Sequence, residues 1–294
     1  MVILNDMSKK NICGIITLYN PPASYLDNIN TYINYLDILY LVDNTPIINH
    51  KDHDSLLRRF PEIEILSFGK NIGIAAALNL GIKEGLKNNY SWLLTMDQDS
   101  SFDEDQAKRY FSSLPFIDSS CVAVLSPSHK VVSCGDDAVV YEKRNEVMTS
   151  GNLLNLLLIR HIGFFNEDLF IDSVDHDYCL RANLLGLEVL QAKNCFIQHV
   201  VGDLCQGSFL FGLKKKTFHI HSPKRMYFIV RNSRYINKRY GKVFREYAKT
   251  LNKANYRRIS RCLRYSNRRR AYIKYILKAY LDYYAKKYGN RVGL

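Results

Sequence analysis

Apolar, β-prone runs alternate with segments of helical periodicity through the first half of the chain. The five runs are Ile12–Leu18, Ile38–Val42, Ile63–Phe68, Trp92–Met96 and Val122–Leu125. Such alternation predicts βαβ units, and therefore an α/β domain with a mostly parallel sheet. Apolar positions at helical spacing predict one helix from about Ile72 to Lys87 and another from about Ala23 to Tyr35.

Polar, turn-forming segments follow the first four of these predicted strands. In chain order they read TLYNPP, VDNTP, FGKNIGIAAALN and MDQDSS. Ligands of open parallel sheets bind outside the carboxyl ends of the strands, where the chain opens into loops and helix N-termini. The sequence therefore predicts a nucleotide site at this edge of the sheet.

Two further helical patterns follow in the second half of the chain. An acidic loop leads into an amphipathic helix within HIGFFNEDLFIDSVDHDYCLRANLLGLEVL, and Gly186 is expected to end that helix. Near the C-terminus, apolar residues repeat at i, i+3, i+4, i+7, i+8 and i+11, which predicts another amphipathic helix. Its apolar stripe consists of Ile273, Ile276, Leu277, Tyr280, Leu281 and Tyr284.

Charge divides the chain into two parts. The net charge of the 294 residues is +13. Residues 214–294 contribute +23, from 25 basic against 2 acidic residues, and residues 1–213 contribute −10, from 16 against 26. We predict a catalytic domain over 1–213 and a basic, Tyr-rich helical region over 214–294. The basic region predicts a polyanionic partner, with anionic lipid favoured, although its terminal helix could also pack on the catalytic domain.

Composition limits the compartment. The chain is 47% hydrophobic and 23% charged, as in folded globular proteins. No run approaches the roughly 18 uncharged apolar residues that span a bilayer, and the N-terminal apolar run is too short for a signal peptide. The 7 cysteines never form a CxxC pair, so neither a disulfide framework nor a zinc finger is predicted. We therefore predict a cytoplasmic protein.

Asp97 and Asp99 form a DxD triplet directly after the fourth predicted strand. As residues i and i+2, both acids project to the same side of the strand end. Two hard oxygen ligands there suit Mg²⁺ or Mn²⁺ bridging a diphosphate. An acidic turn can also be merely solvated or cap a helix. The position after the fourth strand favours the metal site.

Two other strand ends carry groups that suit a nucleotide. Asn71 and Gly73 open a helix after the third strand, and its unpaired N–H groups could meet a phosphate or a ribose. Small residues that pack the helix on the sheet would explain the same pattern equally well. Asp43 ends the second strand, where it could accept a hydrogen bond from a pyrimidine N3–H or simply shape the VDNTP turn.

Taken together, these motifs resemble family 2 glycosyltransferases. ITLYNP, LVDN, KNIGIAAALNLGI, LLTMDQDS, FIDSVDHDYCLRA and IQHVVGD occur in the order and approximate spacing of that family, over roughly residues 11–240. The chain is particularly similar to bacterial rhamnosyltransferases of O-antigen and capsule assembly. The resemblance implies a GT-A fold and inverting transfer from a dTDP- or UDP-sugar to a polyprenyl-diphosphate-linked saccharide. It places this activity at the inner face of the cell membrane.

The resemblance also implies a donor site with a divalent metal. Asp99 would hold Mg²⁺ or Mn²⁺ on the diphosphate, and His199 lies in a segment similar to the H-x-x-G element whose histidine completes the metal shell. A histidine after an apolar strand is otherwise more often structural. The donor-binding residues implied are Thr17 and Asp43 for the base, Asn71 and Gly73 for the nucleoside, and Asp97 for the ribose.

For the acceptor side, the resemblance implies Asp175 as the catalytic base, since it precedes the helix in VDHDYCLR. Many relatives carry Glu-Asp at this point, whereas this chain has Val174 in place of the Glu. Asp172 or Asp177 could compensate for that loss or be the true base. Arg231 and Asn232 lie in a segment similar to the helix that follows the catalytic region, which implies that they approach the pyrophosphate of the acceptor.

Other functions would use parts of the same sequence. A nucleic-acid-binding protein would explain the basic, Tyr-rich tail but not the ordered strand-end motifs, so no nucleic-acid partner is expected. A nucleotidyltransferase would need a Gly-rich basic loop after the first strand, which TLYNPP is not. The motifs do not select the sugar. Rhamnose follows from the resemblance alone, and UDP-glucose, UDP-galactose or UDP-N-acetylglucosamine would use similar contacts.

Overall fold

The computed structural model describes residues 11–46, 56–130, 138–199, 204–209 and 214–294. The chain forms two compact units. The first comprises Met1–Phe165 and Tyr178–His199, and the second comprises Asn166–Asp177 and Val200–Leu294. These units do not follow the change of charge between residues 213 and 214, because the acidic 166–177 segment belongs to the same unit as the basic helices.

A nine-stranded sheet forms the centre of the first unit. Its order is β3-β2-β1-β4-β8-β6-β9-β5, and β7 also pairs with β9. The strands are β1 (Ile12–Leu18), β2 (Ile38–Asp43), β3 (Ile63–Ser67), β4 (Trp92–Asp97), β5 (Ser100–Phe102), β6 (Val122–Ser128), β7 (Tyr141–Lys143), β8 (Asn152–Asn155) and β9 (Glu188–His199).

All five predicted strands form, and the mostly parallel sheet is confirmed. Parallel pairing joins β3 to β2, β2 to β1, β1 to β4 and β6 to β9. The strands β5, β7 and β8 are antiparallel to their neighbours and were not predicted. They are three or four residues long, which is too short to show a strand period.

The helices of the sheet region are α1 (Tyr25–Asn30), α2 (Ile74–Lys87), α3 (Glu104–Ser112), α4 (Ile159–Ile162) and α5 (Val174–Leu184). The helix predicted over 23–35 is divided into α1 and a 3₁₀ turn at Ile33–Tyr35. Close packing explains the small residues of α2. A Cβ atom added at Gly81 would lie 2.8 Å from Ile15 Cβ on the sheet. After α5, Gly186 takes a left-handed φ of 76° and ends the helix as predicted.

The second unit combines a hairpin with three helices. Strands β10 (Leu204–Phe209) and β11 (Lys214–His219) pair antiparallel, and α6 (Pro223–Tyr240), α7 (Arg245–Tyr265) and α8 (Arg269–Tyr284) follow. Ser222 caps the start of α6 by accepting a hydrogen bond from the Arg225 amide. The buried residues that form the core of this unit are Phe170, Met226, Tyr227, Phe228, Ile229, Val230, Cys262, Tyr272 and Ala279.

Helix α8 has apolar residues on two opposite faces. Tyr272 and Ala279 are buried in the core of the second unit, and Ile276 and Tyr280 pack against it. The rest of the predicted stripe, namely Ile273, Leu277, Leu281 and Tyr284, is 49–70% exposed. At about 100° per residue, the exposed residues lie opposite Tyr272 and Ala279. Packing therefore accounts for only part of the stripe.

Among the described residues, none of the helices combines the length and the apolar composition that crossing a bilayer requires.

Candidate active site

The carboxyl ends of β1, β2 and β4 lie side by side at one edge of the sheet. β1 pairs in parallel with both neighbours, and the register sets Thr17 beside Asp97 and Leu18 beside Asp43. Thr17 and Asp43 are buried at this edge. The predicted convergence of the polar strand ends is confirmed.

Hydrogen bonds tie the loops after different strands to one another. In each of three cases a side-chain oxygen of one loop accepts from a backbone amide of another. The pairs are Asn44 Oδ1 with the Ile72 amide at 3.1 Å, Thr45 Oγ1 with the Asn20 amide at 2.9 Å, and Gln98 Oε1 with the Tyr19 amide at 2.8 Å. The strand ends thus form one preorganised surface.

Asp43, Asn71 and Gly73 also shape their own turns. Asp43 Oδ1 accepts from the Thr45 amide at 2.8 Å, and Asn71 Oδ1 accepts from the Gly73 amide at 2.9 Å. Gly73 has a φ of 87° at the N-terminus of α2, a conformation that favours glycine. The local roles considered from the sequence are therefore present, and the nucleotide contacts of these residues stay predictions.

Asp97, Asp99 and His199 bring three potential metal ligands together. Each offers one ligand atom, and these atoms lie within 4.8 Å of one another. Asp97 ends β4, Asp99 lies in the turn to β5, and His199 ends β9. The antiparallel pairing of β5 with β9 sets Ser100 opposite His199, which brings the histidine to the DxD turn.

The surroundings of Asp99 fit a bound cation. Its Oδ1 atom is buried, and no hydrogen bond from the described residues reaches it. It lies within ion-pair distance of His199 Nδ1, at 3.2 Å, and Ser100 Oγ lies 2.8 Å from the same nitrogen. A buried carboxylate oxygen without a donor is costly unless a cation compensates its charge. Two carboxylates and an imidazole are suitable ligands for Mn²⁺ or Mg²⁺.

His129 lies beside this cluster and was not predicted. Its ring centroid is 6.1 Å from that of His199, and the two rings are nearly perpendicular. Burial, together with the neighbouring His199, lowers the pKa of His129 to about 4, so the ring is neutral at pH 7. Its position follows from the pairing of β6 with β9, which the SPSHK segment itself does not reveal.

Three acids of the second unit have different surroundings. Asp177 is buried and accepts a hydrogen bond from the Tyr240 hydroxyl at 2.6 Å. Asp172 forms an ion pair with Arg225, whose Nη2 atom lies 3.2 Å from Oδ1. Asp175 lies in the first turn of α5, with its side chain 19% exposed, and its Oδ1 accepts from the next amide in the chain at 2.9 Å.

Arg231 and Asn232 are both 0% exposed on α6. Their side chains bond to backbone carbonyls of the 168–172 segment, at distances of 2.8 to 3.2 Å. This placement differs from the acceptor contact that the resemblance implied, because both side chains face the interior of the second unit. They offer no exposed atom to a diphosphate.

Comparisons with known proteins give a relative in sequence and similar structures. No family model matches the chain. The chain is 28% identical over 246 residues to the dTDP-rhamnosyl transferase RfbF of Shigella flexneri, covering 76% of this chain and 78% of that protein. A structure of GalNAc-T7 with UDP, GalNAc and Mn²⁺ matches with a TM-score of 0.57 at 10% identity. The match covers 92% of this chain and 54% of the GalNAc-T7 chain, so the chain spans about half of that structure. S. aureus TarS gives a TM-score of 0.48 at 14% identity, covering 93% of this chain and 43% of TarS.

The polar ends of parallel strands, the DxD turn and the structural match to GalNAc-T7 show a GT-A fold. In sequence, the chain is similar to the dTDP-rhamnosyl transferase RfbF over most of both chains.

Proposed function

We propose that the protein is an inverting glycosyltransferase of bacterial surface polysaccharide synthesis, which transfers L-rhamnose from dTDP-rhamnose to a polyprenyl-diphosphate-linked saccharide. The observation that carries the proposal is the cluster of Asp97, Asp99 and His199 at the strand ends. The similarity to a dTDP-rhamnosyl transferase supports the choice of base and sugar. A UDP-hexose transferase of the same fold is the alternative.

The donor binds along the edge formed by β1, β2 and β4. Thr17 and Asp43 hold the nucleobase, and Asp97 contacts the nucleoside sugar, which is the deoxyribose in dTDP-rhamnose. Asn71 and Gly73 line the nucleoside pocket, where their fixed turn holds the start of α2 in place. Asp99 and His199 would hold Mg²⁺ or Mn²⁺, and such a cation, when bound, offsets the negative charge of the departing diphosphate.

Asp175 acts as the general base. The acceptor oxygen forms a bond to the anomeric carbon while the bond from that carbon to the diphosphate breaks, and the acceptor proton passes to Asp175. Two observations support this choice. Asp175 lies in the first turn of α5, with its side chain 19% exposed and beside His176. Asp177, by contrast, is buried against Tyr240.

A donor screen tests the proposal. We expect nucleoside diphosphate release with Mn²⁺ to be at least about tenfold faster from dTDP-rhamnose than from UDP-glucose, UDP-galactose or UDP-N-acetylglucosamine, because base and sugar contacts add in the transition state. Release can be followed by a coupled phosphate assay. A UDP-hexose as the best donor would replace the rhamnose assignment. Release from no donor, together with a salt-dependent shift of labelled RNA or DNA, would favour a nucleic-acid-binding protein.

We further propose that the second unit docks on the anionic inner face of the cell membrane. The exposed face of α8 carries three aliphatic residues and Tyr284. Arg270 and Lys274 are exposed and fall within about 60° of the centre of this face. Aliphatic groups flanked by cations are typical of helices that lie in the headgroup region of anionic bilayers. The wider charge of +23 over residues 214–294 adds attraction at longer range.

Liposome flotation tests the membrane proposal. Leu277→Ser combined with Leu281→Ser should reduce binding to anionic vesicles by about tenfold or more, since both side chains lose apolar area that the bilayer would bury. Leu184→Ser with Leu185→Ser is a matched control, because it removes two exposed leucines from another surface. Point substitutions are preferable to deleting α8, whose opposite face is buried in the core. If the Leu277/Leu281 variant floats with the vesicles as the wild type does, the exposed face of α8 does not bind the membrane.

A further inference from the structure

The segment between Asp168 and Ser173 has an unusual backbone. Phe170, Asp172 and Ser173 have φ values of 64°, 61° and 64°, in the left-handed region that non-glycine residues rarely adopt. Conformations of this kind persist only when the surrounding structure fixes them, and they concentrate at functional sites. This segment leads directly into α5 and Asp175.

Arg231 makes a complete set of hydrogen bonds around this segment. A guanidinium group has five N–H donors, and each has an acceptor here. Nε donates to Asn232 Oδ1 at 3.0 Å, Nη1 to the Gly289 carbonyl at 2.6 Å and the Tyr227 hydroxyl at 3.3 Å, and Nη2 to the carbonyls of Asp168 at 3.0 Å and Leu169 at 3.2 Å.

Asn232 extends the same contact towards α5. Its Nδ2 atom lies 2.9 Å from the Leu169 carbonyl oxygen and 2.8 Å from those of Ile171 and Asp172. Its Oδ1 accepts from Arg231 Nε, which fixes the orientation of the amide. The two side chains together bind four carbonyl groups of a five-residue stretch.

The environment of the pair makes this arrangement rigid. Both side chains are fully buried, and the guanidinium carbon lies 5.1 to 5.8 Å from the ring centroids of Tyr227, Phe228 and Tyr288. Moving a buried charge away from its acceptors is costly, because water cannot replace them. At the end of the segment, the ion pair between Arg225 and Asp172 adds a third tie from α6.

We propose that Arg231 and Asn232 are positioning residues, which hold the carbonyl groups of residues 168–172 so that the chain enters α5 with Asp172 and Asp175 correctly oriented for transfer. The proposal rests on the function of Asp175 proposed above. It assigns the pair to the backbone of the acid-bearing segment rather than to the acceptor diphosphate.

Hydrogen–deuterium exchange of the full-length protein tests the positioning role without any substrate. The amides of Leu169, Phe170 and Ile171 donate to the carbonyls of Asn166, Glu167 and Leu169, all within residues 166–177. Asn232→Ala should therefore raise exchange in a peptide spanning 166–177 by about tenfold or more, because the carbonyls lose a shared donor. Arg231→Lys should act similarly, since an ammonium cannot reproduce the five-donor fork. It also serves as the second variant if Asn232→Ala does not fold.

Asn255→Ala is the matched control. Asn255 is a buried asparagine of the same unit and donates to Ser233 Oγ at 2.6 Å, a contact between α7 and α6. The substitution should leave the exchange rate of the backbone amides of residues 166–177 unchanged. For each variant, the transfer rate is divided by the number of donor-binding sites from calorimetry. We expect kcat per site to fall by about tenfold or more in Asn232→Ala, with donor affinity unchanged within about twofold.

The outcomes separate the positioning role from the proposed base. Unchanged exchange in 166–177 overturns the positioning role, whether or not transfer is detected. Faster exchange with a normal kcat per site overturns it too, as does an equal loss of kcat in Asn255→Ala at the same melting temperature. If Asn232→Ala loses transfer while Asp175→Asn keeps it, the positioning role stands and the assignment of the base fails.

Discussion

Asp175→Asn is expected to lower the rate of sugar transfer by roughly two to four orders of magnitude, the usual contribution of general acid–base catalysis. The amide has nearly the same shape as the carboxylate but cannot take the proton of the acceptor hydroxyl. Affinity for dTDP-rhamnose should barely change, because the residues proposed to contact the nucleobase, the nucleoside sugar and the diphosphate belong to the first unit. Steady-state kinetics with donor calorimetry on the same preparation checks both statements.

Asp172→Asn and Asp177→Asn are the controls for this prediction. Asp177→Asn weakens the buried hydrogen bond with Tyr240, and its main effect should be a lower melting temperature. Asp172→Asn removes the ion pair with Arg225, and its kcat should lie between those of the wild type and Asp175→Asn. If either variant abolishes transfer while Asp175→Asn stays folded and active, Asp175 is not the base.

Asp99→Asn is expected to abolish the dependence of nucleotide affinity on the metal. The amide lacks the charge that would hold a cation beside the diphosphate, and calorimetric titration of dTDP with and without Mn²⁺ measures the difference. In metal-free buffer the substitution should change the melting temperature little, because the amide loses the contact with His199 but also avoids the cost of a buried negative charge.

His199→Ala gives the graded comparison. One neutral ligand of about six is lost and water can replace it, so metal affinity should fall less than in Asp99→Asn. Stabilisation of the protein by Mn²⁺ alone, read from the melting temperature, provides a measure independent of activity. If folded Asp99→Asn keeps the metal-dependent affinity for dTDP, the cluster is not the metal site. If His199→Ala binds Mn²⁺ as the wild type does, His199 has only a structural role.

The parallel part of the sheet could be predicted from the sequence because its strands are buried on both faces. Such strands read as continuous apolar runs, as Ile12–Leu18 does, and all seven of its residues are buried. The general rule for parallel sheets then places Asp43 and Asp97 at one edge. These inferences need only local pattern and a topological rule.

The neighbourhood of His199 could not be predicted in the same way. Ser100 and His199 pair across 99 positions of the chain, through a strand of three residues that has no visible period. His129 joins them through another long-range pairing, of β6 with β9. Local periodicity contains no information about such contacts, so only the family motif pointed to His199 and nothing pointed to His129.

The inward orientation of the Arg231 and Asn232 side chains could not be predicted from the sequence either. Charged and amide side chains are mostly exposed, so composition would place both at the surface. The helix was identified, but the carbonyl groups that accept from the pair belong to a segment about 60 positions earlier. Helix α8 is a related case, since a stripe defined by spacing alone cannot separate a face that packs from one that stays exposed.

Gly289 connects the acid-bearing segment to the end of α8 and so affects how a newly synthesised chain matures. Its amide donates to the Asp168 carbonyl at 2.8 Å, and its own carbonyl accepts from Arg231 at 2.6 Å. At translation speeds of about 5 to 20 residues per second, roughly 6 to 25 s separate the synthesis of Asp168 from that of Gly289. The strands of the first unit are complete once His199 has left the ribosome, whereas Asp168 and its neighbours still lack their partners. If Arg231 and Asn232 position this segment as proposed, competence for transfer is acquired only after Gly289 has been synthesised. A nascent chain that terminates before Gly289 would combine a finished sheet with an unassembled acidic segment.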